Sequence, residues 1–568
     1  MLASPTVAAT GIDQLRDGAS KLASRAAAEL EALRLIQRAG MLGAQRPDRT
    51  LTSLNALRRY GPIGGAVVTA AQRYGDRPGL VDELGTLSFN DLDRRSNALA
   101  NAWRREGLRP GAGIGILARN HRGLLDTTFA AAKLGARALY LNTDFAGPQL
   151  RDVCKREGVE LLVRDEEYEG IADGLELAHG QEVAWTESDP GSASLEQRIR
   201  DGDPSRPPAP GQSSTVILLT SGTTGTPKGA PRQTPHSLVP IGSLLSKVPY
   251  RSAEATYVAA PLFHGLGFGN AMLAFALGST VVVRRRFDPE AVLAGFAAQR
   301  ATALVVVPVM LQRILALPDE QRAAHDLSSL RIVFCGGAQL DAELARAARR
   351  ELGDVVYNLY GSTEVAVATI ATPADLSAAP GCAGRPPLGA TVRILDETGR
   401  EVANGETGRI FVGSGFEFEG YTGGGGKETI DGLMSSGDVG HFDSAGRLFV
   451  DGRDDEMIVS GGENVFPREI EELLVTHEAI AEAALIGIPD PEFGKRLRAF
   501  VAPTADGQID ADEVKRFVKE NLARFKVPRD VLFLDALPRN PSGKVLKREL
   551  AEAEPASVES GGGDGDAA

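Results

Sequence analysis

The feature that most limits the possible folds of this chain is a segment of ten residues that follows a short apolar run. Residues 220–229 read Thr-Ser-Gly-Thr-Thr-Gly-Thr-Pro-Lys-Gly and come directly after Val216-Ile217-Leu218-Leu219, which has the pattern of a buried strand. Glycines let backbone N–H groups converge on one point, hydroxyls add neutral donors, and the lysine adds positive charge. The segment therefore predicts a phosphate-binding loop, and a plain polar surface loop is the alternative. It is not a Walker A loop, since Lys228 is followed by Gly229 and not by Ser or Thr.

Composition limits the class of protein. A chain of 568 residues has room for two large cores. Its net charge of −13 argues against non-specific binding to nucleic acid. The three cysteines, Cys154, Cys335 and Cys382, have no metal or disulfide spacing, which favours a reducing compartment. The longest apolar run, 303–311, is too short to span a membrane, and no secretory leader is apparent. We expect a cytoplasmic enzyme.

Residues 12–43 place apolar side chains close to helical spacing. The pattern predicts a helix that packs on the body of the protein. Peripheral membrane contact through the same stretch, or docking of a partner, stays open as an alternative. The oligomeric state is open as well, a homodimer included.

From Leu51 to about Val450, short β-branched runs alternate with helical stretches, as in 113–117, 216–219, 280–283, 304–307 and 331–334. Continuous apolar strands between helices indicate mainly parallel sheets that helices cover on both faces. Residues 451–553 read as a smaller α/β domain, with helices near 467–477 and 510–523 and strands near 483–488 and 498–502. The predicted fold class is α/β, with a large N-terminal domain and a small C-terminal one.

Further polar motifs follow the phosphate loop in order. They are Gly336-Gly337-Ala338, Tyr360-Gly361-Ser362-Thr363-Glu364, Ser436-Gly437-Asp438, Asp451-Gly452-Arg453 and Pro538 to Val545 around Lys544. An aromatic ring can stack on a base, a hydroxyl can reach a phosphate, and a carboxylate can hold Mg²⁺ or ribose hydroxyls. Each motif alone also fits an ordinary solvated loop. Their order along one chain favours a nucleotide site.

This ordered series resembles the adenylate-forming enzymes, which include acyl-CoA synthetases, adenylation domains and luciferases, over about residues 75–553. The resemblance implies a large adenylation domain at 51–450, a hinge at 451–455 and a small mobile domain at 456–553. The helical pattern before it predicts a helical N-terminal extension at 1–50, and the low apolar content of 554–568 predicts a disordered tail. The implied cofactors and cosubstrates are ATP, Mg²⁺ and coenzyme A.

The resemblance also implies roles for individual residues. The implied nucleotide- and coenzyme A-binding residues are Thr220, Ser221, Gly222, Thr223, Thr224, Gly225, Lys228, Gly336, Gly337, Ala338, Asn358, Tyr360, Gly361, Asp438, Arg453, Gly461 and Gly462. Glu364 would bind the metal, Thr363 would meet the α-phosphate, and Asp455 would be the hinge. Lys544 would be the catalytic lysine of adenylation. Glu456 stands where the family more often has aspartate.

His264, in Pro261-Leu262-Phe263-His264-Gly265, matches the histidine at the carboxylate end of the family's acyl pocket, and a packed polar residue is its alternative. The glycines at 265, 267 and 269 cannot close a channel, which favours an elongated acyl chain. Arg284-Arg285-Arg286 is expected to be a solvated strand end, with coenzyme A or lipid contact as the alternative.

The resemblance predicts an ATP-dependent acyl-CoA synthetase for a medium- or long-chain fatty acid. An enzyme that loads a separate carrier protein shares every motif, and an aryl or other carboxylate is an alternative substrate. A luciferase-like oxygenase and a catalytically inactive scaffold are the further alternatives. The intact set of Lys228, Glu364, Asp438, Arg453 and Lys544 argues against the scaffold.

Overall fold

A computed structural model gives the structure of the protein. It describes residues 23–41, 47–187, 194–219, 229–232, 237–414, 420, 422, 426–454, 458–460, 463–465, 467–490, 494–505, 507–522, 526–540 and 543–552. Several predicted features lie outside these residues: the first part of the 12–43 helix, the loop residues Thr220, Ser221, Gly222, Thr223, Thr224, Gly225 and Lys228, the hinge residue Asp455, Gly461, Gly462 and the tail.

The chain divides into two compact units. The large unit is Met1–Ser436, His441–Phe449 and Pro541–Gly543, and the small unit is Gly437–Gly440, Val450–Asn540 and Lys544–Ala568. The boundary between the units falls within residues 433–453. Gly437–Gly440 therefore belongs to the small unit, while the following His441–Phe449 belongs to the large unit.

An eight-stranded sheet forms the first layer of the large unit. Its order is β14-β13-β12-β11-β9-β10-β1-β2, and neighbours from β13 to β1 pair in parallel, with antiparallel strands at both edges. The buried β-branched runs predicted as strands form its centre. The strands are β1 Pro78–Asp82, β2 Gly85–Ser88, β9 Ala255–Val258, β10 Thr280–Val283, β11 Ala303–Val306, β12 Ile332–Gly336, β13 Val356–Tyr360 and β14 Thr369–Ala371.

A six-stranded sheet contains the strand that leads into the predicted phosphate loop. Its order is β6-β5-β3-β4-β7-β8, and all pairs are parallel except β7 with β8. The strands are β3 Gly113–Leu117, β4 Arg137–Tyr140, β5 Val159–Asp165, β6 Gln181–Trp185, β7 Thr215–Leu219 and β8 Gly229–Arg232. The two mainly parallel sheets confirm the predicted fold class.

Helices of the large unit alternate with these strands. They are α1 at 23–38, α2 Pro47–Tyr74, α3 Phe89–Arg105, α4 Arg122–Leu134, α5 Gly147–Arg156, α6 Glu169–Ala172, α7 Leu195–Asp201, α8 Val239–Leu245, α9 Gly265–Ala276, α10 Pro289–Ala298, α11 Pro308–Leu315, α12 Asp319–Ala323, α13 Ala342–Leu352 and α14 Pro373–Ala378, with a 3₁₀ turn at Glu166–Tyr168. Local chemistry sets their ends. Ser88 and Asp91 form a capping box at α3, and Gly135, at φ 72°, ends α4.

A further sheet is formed by the strands between Thr391 and Arg453, the part of the chain that contains the boundary between the two units. Its order is β15-β16-β18-β17, and β19 also pairs with β18. The strands are β15 Thr391–Leu395, β16 Gly408–Gly413, β17 Thr429–Ile430, β18 Leu433–Phe442 and β19 Leu448–Arg453.

The small unit is α/β, as its sequence predicts. A three-stranded sheet of order β22-β23-β24 packs with two helices, α15 and α16, around a core that includes Leu485, Val501 and Val514, and Leu550 of α17 lies in a second cluster with Phe500. The elements are β20 Ile458–Ser460, β21 Glu463–Val465, α15 Pro467–Leu474, β22 Ile480–Asp490, β23 Gly494–Pro503, α16 Ala511–Asn521, β24 Asp530–Phe533 and α17 Lys547–Glu552.

The described part of the N-terminal stretch is helical and packed. In α1, Ala32 and Ile36 are buried, and a Cβ added to Gly242 of α8 would lie 2.6 Å from the Ala32 Cβ. Glu29 accepts a hydrogen bond from the Leu238 amide over 3.0 Å. Within the described residues, none of the helices combines the length and the apolar character needed to cross a bilayer.

The arginine run after β10 differs from its prediction. The Arg285 side chain is 9% exposed, and it lies 2.7 Å from Glu167 and 4.5 Å from the ring centre of Trp185. Trp185 ends a strand of the six-stranded sheet, so Arg285 ties the two sheets together. Arg284 and Arg286 are more exposed, at 46% and 68%. The expectation of a solvated strand end is therefore wrong for Arg285, because carboxylates across the sheet junction compensate its charge.

Candidate functional site

The carboxyl ends of neighbouring parallel strands bring several predicted residues together in the large unit. Cys335 pairs with Asn358 and Gly336 with Leu359, so the loops after β12 and β13 leave the same edge of the sheet side by side. The first holds Gly336-Gly337-Ala338, and the second holds Tyr360 to Glu364. This edge is where open parallel sheets bind ligands.

A tight turn fixes Glu364. Ser362 Oγ donates to Glu364 Oε2 over 2.8 Å and accepts from the Glu364 amide over 3.2 Å, and the Ala366 amide donates to Ser362 O over 2.9 Å. Gly361 is needed there because an added Cβ would collide with the carbonyl oxygen of Ala366. The turn leaves Thr363 and Glu364 half-buried at the strand end.

Asn358 carries a buried acceptor. The residue is 6% exposed, and its Oδ1 has no hydrogen-bond partner within the part of the chain that the structure describes. A buried amide oxygen left unpaired costs about 1–3 kcal/mol. A ligand that donates a hydrogen bond at this point, such as the amino group of a purine, would offset that cost.

His264 precedes α9 and lies in the same region of the large unit. The His264 ring packs on the Phe263 ring, with 4.5 Å between the ring centroids. Two residues further along the chain, Leu266 approaches Gly336: a Cβ built on Gly336 would lie 3.4 Å from Leu266 Cδ1. Val307, after β11, approaches Gly337 in the same way at 3.5 Å. The sequence did not mark Leu266 or Val307, because apolar side chains carry no motif that distinguishes a site wall from core.

The three glycines at the start of α9 are not equivalent. A Cβ at Gly267 would collide with the Pro261 carbonyl oxygen and lie 2.7 Å from the Ala260 oxygen, so this glycine is required for packing. Gly269 has nothing within 4 Å of an added Cβ, and Gly265 has Leu218 at 3.7 Å. Gly267 therefore contributes no evidence for an open channel, and the inference applies to Gly265 and Gly269 alone.

Asp438 and Arg453 lie on paired strands of one hairpin and within one unit. Arg453 Nη1 donates to Asp438 Oδ1 over 3.2 Å, and their side chains are 31% and 13% exposed. The guanidinium orients the carboxylate and leaves it acceptor capacity for hydroxyl donors.

Lys544 belongs to the small unit and is bonded to Asn540 of the same unit. Its amide donates to Asn540 Oδ1 over 2.9 Å, its carbonyl accepts from the Asn540 amide over 2.9 Å, and Arg539 pairs with Val545 beside it. Gly543, at φ 80°, supplies the turn that a residue with a Cβ would adopt only with strain. The Lys544 side chain is exposed, so the loop presents its ammonium group to solvent or ligand.

The base of the predicted phosphate loop is described although the loop itself is not. Leu219 pairs with Gly229 at the end of the antiparallel pair β7 and β8. Lys228 directly precedes the described Gly229 in the sequence.

The carboxylate of Glu364 fits Mg²⁺ that arrives with a nucleotide, because Mg²⁺ commonly takes one or two carboxylates plus substrate phosphates. In the described ranges no group of three or more His, Cys, Asp or Glu is arranged as a metal centre. The ion is part of the MgATP substrate.

The cysteines do not belong to the site chemistry. All three are buried and unbridged. Burial raises the pKa of the Cys335 and Cys154 thiols to about 12 and that of Cys382 to about 11. The thiols stay protonated near neutral pH, which makes them poor nucleophiles.

Comparison with known proteins agrees with this arrangement. Residues 67–422 match the family model of the AMP-binding enzymes, and residues 469–544 match that of the AMP-binding enzyme C-terminal domain. The class defined by fold and site is that of nucleotide-dependent, adenylate-forming enzymes. The chain belongs to the AMP-binding enzyme family.

Among curated relatives, a feruloyl-CoA synthase of Amycolatopsis sp. is 35% identical, with 82% of this chain and 93% of the relative aligned. An indoleacetate–CoA ligase of Aromatoleum aromaticum is 34% identical at the same coverage. A fatty acid–[acyl-carrier-protein] ligase of Streptomyces coeruleorubidus is 30% identical, with 85% and 94% covered.

Two solved structures show the same fold with nucleotide bound. O-succinylbenzoate CoA synthetase from Bacillus subtilis, in complex with its acyl-adenylate, has a TM-score of 0.75 at 25% identity and covers 87% of this chain and 99% of its own. ATP-bound MatB from Rhodopseudomonas palustris has a TM-score of 0.75 at 27% identity, with 85% and 98% covered. The expectation of ATP, Mg²⁺ and coenzyme A is confirmed at the level of this class, as is AMP-forming acid–thiol ligation through an adenylate.

Proposed function

We propose that this protein is a CoA ligase for an aryl or other ring-bearing carboxylate. The observation that carries the proposal is the group of relatives about one third identical over more than nine tenths of their length, named for ferulate and indoleacetate. A fatty-acid substrate, which the sequence favoured, has less support among them. Of the substrate classes open from the sequence, these relatives favour the aryl carboxylate.

In the first half-reaction, a carboxylate oxygen of the substrate attacks the α-phosphorus of ATP. The bond from that phosphorus to the pyrophosphate oxygen breaks, and the products are acyl-AMP and pyrophosphate. In the second, the coenzyme A sulfur attacks the acyl carbon, the thiol proton is lost, and the bond to the AMP oxygen breaks. Phosphoryl and acyl transfer of this kind depend on positioning and charge stabilisation.

Residues at the carboxyl edge of the eight-stranded sheet would bind the nucleotide. Asn358 Oδ1 would accept from the purine amino group, and Tyr360 would stack on the base. Thr363 would donate to the α-phosphate, and Glu364 would bind the magnesium ion carried by the phosphates. The buried, unpaired Oδ1 and the Ser362 turn support these roles.

Asp438 would accept hydrogen bonds from the ribose hydroxyls, with Arg453 holding its carboxylate in place. The 3.2 Å contact between the two side chains supports this pairing of roles. Asp438→Ala should raise KM for ATP with little change in KM for the acid.

Lys544 would place its ammonium group between the incoming carboxylate and the α-phosphate, where negative charge gathers as the bond forms. Lys228 would stabilise the phosphates from the loop side. By the resemblance, the small domain then rotates about Asp455, and the segment with Gly461 and Gly462 serves coenzyme A.

His264 would border the carboxylate end of the acyl pocket. We assign it no proton transfer, since a carboxylic acid substrate is ionised at neutral pH. Leu266 and Val307 would form part of the wall between this pocket and the loop at Gly336 and Gly337.

A panel of carboxylates tests the proposal. Ferulate, indoleacetate, 2-succinylbenzoate, decanoate and palmitate are each assayed for acid-dependent pyrophosphate exchange, and for AMP release with and without coenzyme A. The proposal predicts that kcat/KM is highest for a ring-bearing acid and that AMP release requires coenzyme A. Higher kcat/KM for decanoate or palmitate would instead favour a fatty-acid substrate. If none of the acids supported pyrophosphate exchange or AMP release, an adenylate-forming activity would be refuted.

Loading of a carrier protein is the second candidate, since one relative is named as a ligase for an acyl carrier protein. It shares the first half-reaction and differs in the acceptor thiol. This candidate would be favoured if a fatty acid supported pyrophosphate exchange, if coenzyme A did not increase AMP release, and if a phosphopantetheinylated carrier protein did.

A further inference from the structure

One polar cluster lies directly at the base of the predicted phosphate loop and belongs to none of the motifs. Gly229 is the residue after Lys228, and both of its backbone groups bond to Thr422. Its amide donates to Thr422 Oγ1 over 3.0 Å, and its carbonyl oxygen accepts from the Thr422 amide over 2.9 Å. Thr422 thus holds Gly229 on the side opposite its strand partner, Leu219.

The threonine is in turn held by a buried carboxylate. Thr422 Oγ1 donates to Glu157 Oε1 over 2.6 Å, and the Glu157 side chain is 2% exposed. Arg156 Nε also donates to this Oε1 over 2.9 Å. A carboxylate removed from water needs such donors, so the hydroxyl proton of Thr422 is committed to Glu157 and its lone pair is left for the Gly229 amide.

Packing leaves no room for a side chain at Gly229. A Cβ built there would lie 2.6 Å from Thr422 Oγ1, 2.9 Å from Ile217 Cγ2 and 3.1 Å from Glu157 Oε2. The cluster therefore closes on the backbone of Gly229 from three sides. Three separate parts of the chain meet there: the end of α5, the strand β7 and residue 422.

We propose that Glu157 and Thr422 are positioning residues for the phosphate loop, acting through the backbone of Gly229. Lys228 directly precedes Gly229 in the sequence, so a fixed Gly229 backbone limits where Lys228 can place its ammonium group. A ligand-binding segment whose flanking residue is already held loses less conformational entropy when the ligand binds. The inference rests on the proposed role of the loop in binding the phosphates of ATP.

Thr422→Val removes the hydroxyl and keeps the shape of the side chain. We expect KM for ATP in pyrophosphate exchange to rise about tenfold, with KM for the acid unchanged and with transfer from supplied acyl-AMP to coenzyme A near wild type. Thr422→Ser should restore KM for ATP to within about twofold. Glu157→Gln should give an intermediate rise, because a glutamine can still accept from Thr422 but bears no charge.

Thr302→Val is the matched control. Thr302, directly before β11, donates from Oγ1 to Glu254 Oε2 over 2.7 Å, so its replacement by valine removes a hydrogen bond of the same type far from Gly229 in the sequence. The proposal is overturned if Thr422→Val leaves KM for ATP unchanged. It is also overturned if Thr422→Val and Thr422→Ser both lower the rates of the two half-reactions and the melting temperature together, since that would indicate a purely structural role. Wild-type exchange with at least one acid separates either result from failure of the proposed function.

Discussion

Ser362 Oγ donates a 2.8 Å hydrogen bond to Glu364 Oε2 and, in the same turn, accepts from the amides of Glu364 and Val365. One oxygen of the carboxylate is thereby fixed before any ligand binds. Preorganised carboxylates lose less rotamer freedom when they coordinate a metal, and partners of this kind commonly change metal affinity by about 10–100-fold.

Ser362 and Glu364 should therefore affect the magnesium requirement to different extents. Glu364→Gln removes the charge and should raise the Mg²⁺ concentration for half-maximal exchange by about tenfold or more. Ser362→Ala keeps the charge and only loosens the carboxylate, so we expect a rise at the lower end of that range, about tenfold at most and smaller than the rise in Glu364→Gln. A magnesium titration at saturating ATP measures both, and an unchanged midpoint in Glu364→Gln would remove it as a ligand.

Lys544 should matter for one half-reaction only. Lys544→Ala removes the ammonium group expected to stabilise the transition state of adenylation, and exchange should fall about 10²–10³-fold. Transfer from supplied acyl-AMP to coenzyme A should persist. Lys519→Ala, at an exposed lysine of the same unit, is the control. Normal exchange in Lys544→Ala would contradict its assigned role.

Glu182 should make stability depend on pH. Burial raises the pKa of this carboxyl to about 7, against the opposing effect of Arg198 and of the Trp103 N–H, which donates over 3.0 Å. The folded state then binds a proton that the unfolded state releases near pH 4.5. This contribution is fully present below about pH 4.5 and is lost as the pH rises through 7, an expected loss of about 3 kcal/mol.

Melting temperatures at pH 5 and pH 8 for the wild type and Glu182→Gln test that sign. The variant should lose less stability than the wild type between the two values. Glu320→Gln, at an exposed glutamate, should follow the wild type. Equal changes in Glu182→Gln and the wild type would show that this carboxyl does not titrate in the range.

Two glycines of α9 should respond in opposite directions to the same substitution. Gly267→Ala places a methyl group against the carbonyls of Ala260 and Pro261 and should destabilise the protein by about 1–3 kcal/mol. Gly269→Ala meets open space and should stabilise the helix by up to about 1 kcal/mol. Thermal unfolding compares the two, and equal destabilisation would contradict the packing described for Gly267.

A larger residue at position 269 tests the pocket rather than the fold. If the space beside Gly269 belongs to the acyl pocket, Gly269→Leu should lower kcat/KM for the bulkiest accepted acid more than for the smallest. An equal effect on all acids would place the space outside the pocket. Ala298→Leu, at the end of α10, provides a helical substitution remote from the predicted motifs.

Local sequence predicts the buried strands, the motif at 360–364 and the family of this protein. The β-branched runs at 280–283 and 304–307 predict buried parallel strands because alternation is lost when both faces are covered, and the structure has strands at Thr280–Val283 and Ala303–Val306. The motif at 360–364 was readable because its turn forms among adjacent residues. The order of the motifs indicated the family, which the comparisons confirm.

Tertiary structure decided what depends on partners distant in the chain. Thr422 and Glu157 meet across 265 positions, and neither lies in a motif. Arg285 appeared solvated in sequence but finds compensating carboxylates across a sheet junction, and Gly267 appeared to line a channel but is fixed by the carbonyl of Pro261. Sequence patterns report the chemistry and backbone preferences of neighbouring residues, whereas burial and charge compensation depend on which distant segments the folded sheets bring into contact.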